Sequence, residues 1–259
     1  MSSDLVLFER AGSAAIIRLN RENKLNALNR VIFDALGIYL DDIARDQSCS
    51  VAILTGTGRA FCAGADIGEY WKGDRSAFRE FQSRGRQLHD QIEKNPKPVI
   101  AAVNGFAFGG GFELALVCDL IVASERAQFG LPEPTLGLVP GGGGTQRLPR
   151  IVGQNRAKEI LLTGRRLNAL EAYEWGIVTA VTPAHDEIRM ALELGEKIAR
   201  QAPLAIQALK RLVNEGVNAP LETALSYEQQ TLLSLYATDD GQEGINAFME
   251  KRPAVFHGK

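Results

Sequence analysis

The sequence predicts an α/β protein with an all-helical C-terminal extension. In the first half of the chain, short apolar runs alternate with amphipathic segments, which is typical of strands and helices that share one core. Beyond Ala184 the pattern changes, and four helix-like segments follow one another: 186–200, 203–214, 220–238 and 239–251.

Each element of the first half has a local signal. Two apolar runs separated by residues 11–13 predict a hairpin or a meander, and Asn29 is placed to cap a helix that continues to Arg45. A second helix is expected over residues 76–94, because Pro96 stops it. Strands are expected at Leu5–Arg10, Ala14–Leu19, Val51–Thr55, Val99–Val103 and Leu120–Ala123.

The helical extension carries more apolar residues than an isolated exposed helix can hold. Its third predicted helix alone contains Leu221, Leu225, Leu232, Leu233 and Leu235. Such a helix needs a partner surface, so we expect the extension to mediate assembly. At the start of the next helix, Asp239 and Gln242 have the spacing of a capping box.

The composition of the 259-residue chain narrows the classes of function. Its 29 Lys and Arg residues are balanced by 31 Asp and Glu residues, so the basic excess of a nucleic-acid-binding protein is missing. Cys49, Cys62 and Cys118 form no Cys-x-x-Cys pair and the three histidines lie far apart, which disfavours a metal site and favours a reducing compartment. No signal-peptide pattern opens the chain, and no apolar run approaches about 18 residues. We therefore expect a cytoplasmic protein that binds neither nucleic acid nor a membrane.

Two glycine-rich segments are candidates for ligand binding. The first, Thr55–Asp66, follows a strand but lacks a P-loop lysine, and Phe61 occupies the third glycine position of a dinucleotide fingerprint. It is either a tight turn or a ligand site. The second, Asn104–Glu113, has three glycines before a helix expected at Phe112–Cys118. These glycines either allow close packing or expose N–H groups that hold an oxyanion.

Two carboxylates accompany the glycine-rich segments. Glu113 is a lone acid in an apolar helix, so it is exposed, paired or catalytic. Glu133 lies between Pro132 and Pro134, which favours an extended backbone and a restrained side chain. Four glycines then lead into a further helix at Thr145. A rigid turn would explain this third glycine-rich segment, Gln128–Leu148. Two such carboxylates, however, also suggest paired acid–base chemistry.

Taken together, these segments resemble the enoyl-CoA hydratase/isomerase (crotonase) family over nearly the whole chain. The resemblance rests on the order and spacing of Asn20-Arg21, Leu25–Leu28, Ala63–Ile67, Asn104–Glu113, Phe129–Glu133, Pro140–Leu148, Ala237–Asp240 and Lys251-Arg252. It implies a crotonase-like spiral of ββα repeats with an acyl-CoA site in residues 1–195. It also implies a helical oligomerisation region in residues 196–259, which forms a homo-trimer or a dimer of trimers. Neither a metal nor a cofactor is implied, since coenzyme A is part of the substrate.

The resemblance further implies roles for individual residues. Glu113 and Glu133 match the two catalytic glutamates of hydratases, and the amides of Ala65 and Gly110 match the oxyanion hole around the thioester carbonyl. Coenzyme A is expected to contact Lys24, Leu25, Ala27, Ala63, Asp66 and Ile67. Pro134 departs from the family pattern, because hydratases commonly have an aliphatic residue at this position.

Because both glutamates are present, the chain resembles an enoyl-CoA hydratase most closely. Such an enzyme adds water across the 2,3 double bond of a trans-2-enoyl-CoA and forms a 3-hydroxyacyl-CoA. Two alternatives stay open: a Δ3,Δ2-enoyl-CoA isomerase that uses one glutamate, and a non-catalytic member that binds acyl-CoA or RNA. The net charge of −2 disfavours RNA, and the glutamate pair disfavours an inactive member. Residues 70–75, rich in aromatic and charged side chains, are expected to border the acyl pocket.

Overall fold

Ten strands form two sheets in the computed structural model, which describes residues 4–259. The expectation about a signal peptide therefore lies partly outside the described residues, because it includes Met1–Ser3. In chain order the strands are β1 (Val6–Ala11), β2 (Ala14–Leu19), β3 (Val51–Gly56), β4 (Ala60–Cys62), β5 (Val99–Val103), β6 (Phe106–Phe108), β7 (Leu120–Ser124), β8 (Gln128–Gly130), β9 (Leu167–Asn168) and β10 (Ala180–Thr182).

Ten α-helices accompany the strands in the described part of the chain. They are α1 (Arg30–Arg45), α2 (Arg75–Lys94), α3 (Gly110–Leu116), α4 (Gly144–Val152), α5 (Gln154–Thr163), α6 (Ala169–Glu174), α7 (Glu187–Ala199), α8 (Pro203–Gly216), α9 (Leu221–Tyr236) and α10 (Asp239–Met249). Short 3-10 helices lie at Glu22–Lys24, Ile67–Glu69 and Glu133–Leu136.

The chain follows one pattern three times after the antiparallel β1–β2 hairpin. Each repeat has a strand of a six-stranded sheet, a strand of a four-stranded sheet and a helix: β3-β4-α2, β5-β6-α3 and β7-β8-α4. Successive repeats pair in parallel in both sheets. The predicted spiral of ββα repeats and the helical C-terminal end are thereby confirmed, although no sequence repeat accompanies them.

The six-stranded sheet is covered on both faces. Along β3, Ile53 packs in a cluster with Ala191 of α7, whereas the next residue, Leu54, packs in the main core with the four-stranded sheet and helices α1 and α2. Successive side chains of a strand point to opposite faces, so a sheet buried on both faces requires continuous apolar strands. This is why these strands were visible in the sequence.

Side-chain caps fix the ends of two helices, one as predicted and one differently. Asn29 caps α1, and its side chain accepts a hydrogen bond from the Ile32 amide at 2.9 Å. The predicted capping box of α10 is wrong, because Thr238 is the N-cap and accepts from the Gly241 amide at 3.0 Å. Asp239 is already helical, and the Gln242 side chain donates instead to the Tyr236 carbonyl. A threonine one residue earlier was the better cap.

The helical end of the chain docks through one buried lysine and leaves apolar side chains exposed. Lys210 of α8 forms a 2.7 Å ion pair with Asp119 and also donates to two backbone carbonyls of the core. The exposed leucines of α9 are Leu221, Leu225, Leu232 and Leu233. The proposed division at residues 195/196 passes through α7 and stays a prediction. Within residues 4–259, no helix is long and apolar enough to cross a membrane.

Candidate active site

The spiral delivers three of the predicted catalytic groups to one end of the four-stranded sheet. Ala65, Gly110 and Glu133 each follow, by two or three residues, the carboxyl end of a parallel strand: β4, β6 and β8 respectively. Carboxyl ends of parallel strands meet at one edge, where α/β proteins commonly bind ligands. All three groups, together with Glu113, line one cavity of about 510 Å³.

Glu113 is a buried carboxylate held by the loop before α4. Its Oε1 accepts hydrogen bonds from the amides of Gly142 at 2.8 Å and Gly144 at 2.7 Å. Burial raises the pKa of Glu113, while the Gly144 and Gly142 amides and the charge of Arg147 oppose this rise. The side chain is therefore paired through backbone N–H groups, which favour the charged form of a buried acid.

Glu133 is a second carboxylate with different surroundings. Its Oε2 is buried without a hydrogen-bond partner among the described residues. Burial, with a smaller contribution from the charge of Glu113, raises the pKa of Glu133 to about 7. A Cβ atom added at Gly109, whose φ is +52°, would lie 2.9 Å from Glu133 Oε1, so a glycine is required beside this carboxyl group.

The predicted extended backbone at Glu133 is wrong. Glu133 instead begins a 3-10 helix, with Pro134 in its first turn. Pro134 lacks an N–H group, but the first turn of a helix leaves its N–H groups unpaired in any case, so proline fits there. The turn is closed by a hydrogen bond from the Leu138 amide to the Glu133 carbonyl at 3.1 Å.

The amides of Ala65 and Gly110 come together from two neighbouring loops. A Cβ atom added at Gly110 would lie 3.5 Å from the Ala65 nitrogen. Neither N–H group donates a hydrogen bond within residues 4–259, and Gly110 is the first residue of α3. Two free N–H groups, one of them at a helix N-terminus, form a site for a developing negative oxygen.

The residues expected to contact coenzyme A lie in two loops that are joined by hydrogen bonds. The Ala63 amide donates to the Leu25 carbonyl at 3.0 Å, and the Asp66 amide donates to the Leu28 carbonyl at 2.7 Å. The Arg21 guanidinium joins both loops, since it donates to the Ala27 carbonyl and pairs with Asp66 at 2.6 Å. The structure thus brings together Leu25, Ala27, Ala63 and Asp66, with Ile67 on the cavity wall. Lys24 is exposed at the end of the 3-10 helix beside them.

The opposite wall of the cavity is aromatic. Tyr70 packs against Phe78 and Phe81, with ring centroids 5.0 and 5.3 Å apart. Of the expected bordering segment 70–75, Tyr70 lines the cavity, whereas Trp71 is 68% exposed and does not line it. Burial, followed by the charges of Glu133 and Asp66, raises the pKa of Tyr70, which keeps its hydroxyl neutral.

Sequence reasoning missed two residues of the site, His89 and Arg147. His89 was visible only as one of three distant histidines, yet it lies on the buried stripe of α2 with Phe81, Leu88 and Ile92. A polar side chain on an apolar stripe was the available signal. The three cysteines are buried and free, and among residues 4–259 no group of three or more metal-binding side chains is present.

The fold and the site together define an acyl-CoA enzyme of the crotonase type, and comparisons with known proteins agree. The sequence profile described as Enoyl-CoA hydratase/isomerase matches residues 9–259. The chain is 42% identical to the 2,3-dehydroadipyl-CoA hydratase of Escherichia coli (strain K12), over 99% of this chain and 100% of that protein. It is 39% identical to the short-chain-enoyl-CoA hydratase of Clostridium acetobutylicum, over 97% of each.

A solved structure is similarly close. The crystal structure of enoyl-CoA hydratase from Bacillus anthracis superposes with a TM-score of 0.95 and 41% sequence identity, covering 98% of this chain and 100% of that one. The protein belongs to the enoyl-CoA hydratase/isomerase family.

Proposed function

We propose that this protein is an enoyl-CoA hydratase, which adds water to a trans-2-enoyl-CoA and forms a 3-hydroxyacyl-CoA. One observation carries the proposal: two carboxyl groups with raised pKa values share a cavity with two unpaired backbone amides. An isomerase of this family needs a single glutamate, so the second buried carboxyl group favours hydration.

The two amides stabilise the negative charge of the reaction. As water attacks C3, electron density moves through C2 onto the thioester oxygen, where the N–H groups of Ala65 and Gly110 donate to it. Loss of one such donor typically costs about 3 kcal/mol of transition-state stabilisation.

The surroundings of the two glutamates support different roles for them. Glu113 receives backbone hydrogen bonds that favour its carboxylate form, so it removes the proton from the attacking water. Glu133 has an Oε2 without a hydrogen-bond partner among the described residues, and its pKa of about 7 keeps a large fraction protonated at neutral pH. It therefore delivers the proton to C2. The reaction uses only these groups and water, so coenzyme A enters as part of the substrate.

Coenzyme A lies along the joined loops in this proposal. Lys24, Leu25 and Ala27 face it from one loop, and Ala63, Asp66 and Ile67 contribute from the other. The hydrogen bonds between the loops support this placement, because they fix both segments beside the Ala65 amide before the substrate arrives.

Assembly through the helical end is the second part of the proposal. Leu221, Leu232 and Leu233 of α9 are each more than half exposed, and such an apolar surface on one helix needs cover. We assign this cover to further copies of the chain, as a trimer or a dimer of trimers. The three free, buried cysteines support a reducing, cytoplasmic location.

Hydration of crotonyl-CoA, followed by loss of enoyl-thioester absorbance, tests the function. The wild type should hydrate crotonyl-CoA. Glu113→Gln and Glu133→Gln should each lower kcat by roughly 100-fold or more, because glutamine has the size of glutamate but cannot transfer a proton. Full activity of Glu113→Gln, with loss only in Glu133→Gln, would replace hydration by one-acid isomerisation.

A further inference from the structure

Gly142 is held on both sides of its α-carbon, through its N–H group and through its carbonyl. Its N–H group donates to Glu113 Oε1 at 2.8 Å, as described above. Its carbonyl oxygen accepts from His89 Nδ1 at 2.8 Å and from the Arg147 guanidinium at 3.1 Å. A carbonyl oxygen can only accept, so the proton of the His89 ring is on Nδ1. The N–H group belongs to the 141–142 peptide unit and the carbonyl to the 142–143 unit, so the contacts of the carbonyl fix the position of residue 142, from which the N–H group reaches Glu113.

The packing around Gly142 leaves no room for a side chain. A Cβ atom added there would lie 2.6 Å from His89 Cε1 and 2.8 Å from Glu113 Oε2, so the histidine ring and the carboxyl group press on the same residue. His89 is buried, and its helix α2 is anchored in the core. The same helix holds Arg147 through Glu93 at 2.8 Å, one turn further along.

Burial, more than the surrounding charges, keeps the His89 ring neutral. Burial lowers the pKa of His89 to about 4, and the charges of Arg147 and Arg86 add to this effect. The Gly142 carbonyl and Asp90 oppose it, and Glu113 lies on the other side of Gly142. A neutral ring is a fixed hydrogen-bond donor that does not change its state near pH 7, so it is unsuited to proton transfer there.

We propose that His89 is a positioning residue for Glu113, and that it acts with Arg147 by holding the Gly142 carbonyl and thereby the position of residue 142, whose N–H group binds Glu113. The inference rests on the proposed role of Glu113 as the base. The two N–H donors of the loop engage Oε1 and so leave Oε2 for the attacking water. Without the histidine, residue 142 is free to shift, and Glu113 loses a donor and its fixed orientation.

Two substitutions separate the hydrogen bond from the packing. His89→Leu fills the space without a donor, whereas His89→Asn places an amide N–H group near the position of Nδ1. His257→Leu makes the same chemical change at an exposed histidine outside the cavity and serves as the control.

Two readouts are measured on each full-length variant. The first is kcat and KM for crotonyl-CoA, because misplacement of a catalytic group by about 1 Å costs on the order of 100-fold in rate. The second is the titration of the Glu113 carboxyl group by infrared difference spectroscopy of ¹³C-glutamate-labelled protein, assigned with Glu113→Gln. This readout needs no turnover.

We expect His89→Leu to lower kcat by roughly 30- to 100-fold with a smaller change in KM. It should also raise the pKa of Glu113, since a donor to the carboxylate is lost. His89→Asn should restore both quantities toward the wild type, and His257→Leu should change neither. An unchanged Glu113 titration in His89→Leu overturns the inference, as does a loss of rate that His89→Asn fails to restore, or wild-type kcat in His89→Leu. If the wild type itself does not hydrate crotonyl-CoA, the proposed function fails, and the titration alone decides whether His89 positions Glu113.

Discussion

The rate of hydration should fall at high pH because Glu133 must carry a proton. The pKa of this group is raised from 4.5 to about 7, mainly by burial. An acid with a pKa of 4.5 would be protonated to only about 0.3% at pH 7, whereas one with a pKa of 7 is about half protonated. The cavity thus increases the active fraction by a factor of about 150 at neutral pH.

The sign of the pH dependence follows from these populations. Above pH 7, kcat/KM for hydration should decrease about tenfold per pH unit, as the protonated fraction of Glu133 does. At low pH the rate should also fall, because Glu113 must be ionised and burial raises its pKa. The profile is therefore bell-shaped, and its two limbs describe the pair of carboxyl groups together.

Initial rates with crotonyl-CoA between pH 5.5 and 9 measure this profile. Glu133→Gln is the control: its residual rate should lack the basic limb, whereas a limb caused by ionisation of the substrate would persist. A wild-type profile that is flat to pH 9, or an identical basic limb in Glu133→Gln, would refute the assignment of Glu133 as the acid.

Three further predictions test the amide, the docking lysine and the assembly. Gly110→Pro should lower kcat by roughly 100-fold, because it removes the N–H donor. Gly110→Ala should lower kcat far less, because its Cβ meets its nearest neighbour at 3.5 Å and the N–H group is kept. Equal kcat in the two variants would contradict the oxyanion hole. Lys210→Met should reduce the free energy of unfolding by about 3 kcal/mol, because Asp119 is left buried without its ion-pair partner. Urea titrations at fixed protein concentration measure this change. The control Lys158→Met, at an exposed site, should change the free energy of unfolding by less than about 0.5 kcal/mol. Light scattering should give a trimer or larger species that dissociates in Leu232→Glu/Leu233→Glu, and a wild-type monomer at micromolar concentration would disprove the assembly.

The elements that sequence patterns predict well are those whose side chains repeat regularly. The long strands β3 and β5 are mainly apolar runs, β2 is interrupted only by Arg18, and α1 has both an apolar stripe and the Asn29 cap. The strands of the smaller sheet have three residues or fewer, which is too short for any periodicity to show. Tertiary pairing forms them, so the second sheet was accessible only through the family resemblance.

The residues of the site likewise fall into those that a local sequence pattern predicts and those that it misses. Glu113, Glu133 and the glycine loops stand out because acids and clustered glycines are unusual in apolar surroundings. His89 and Arg147 both contact Gly142. Arg147 is five residues from Gly142 in the chain, but His89 is more than fifty residues away, and no local sequence pattern predicts so distant a contact. The 3-10 helix at Glu133 was missed for another reason: the preference of a residue before proline for extended backbone is weaker than the turn that the surrounding loop requires.

The placement of functional groups after β4, β6 and β8 makes the fold modular in its chemistry. Each turn of the spiral supplies one loop to a common edge, and the strand beneath that loop is held by its neighbours regardless of the loop's sequence. In the proposed mechanism, a substitution after β8 would therefore exchange the acid while the amides after β4 and β6 keep their places beside the thioester oxygen. In such a scaffold, new reactions of acyl thioesters can evolve one loop at a time, with carbonyl activation retained throughout.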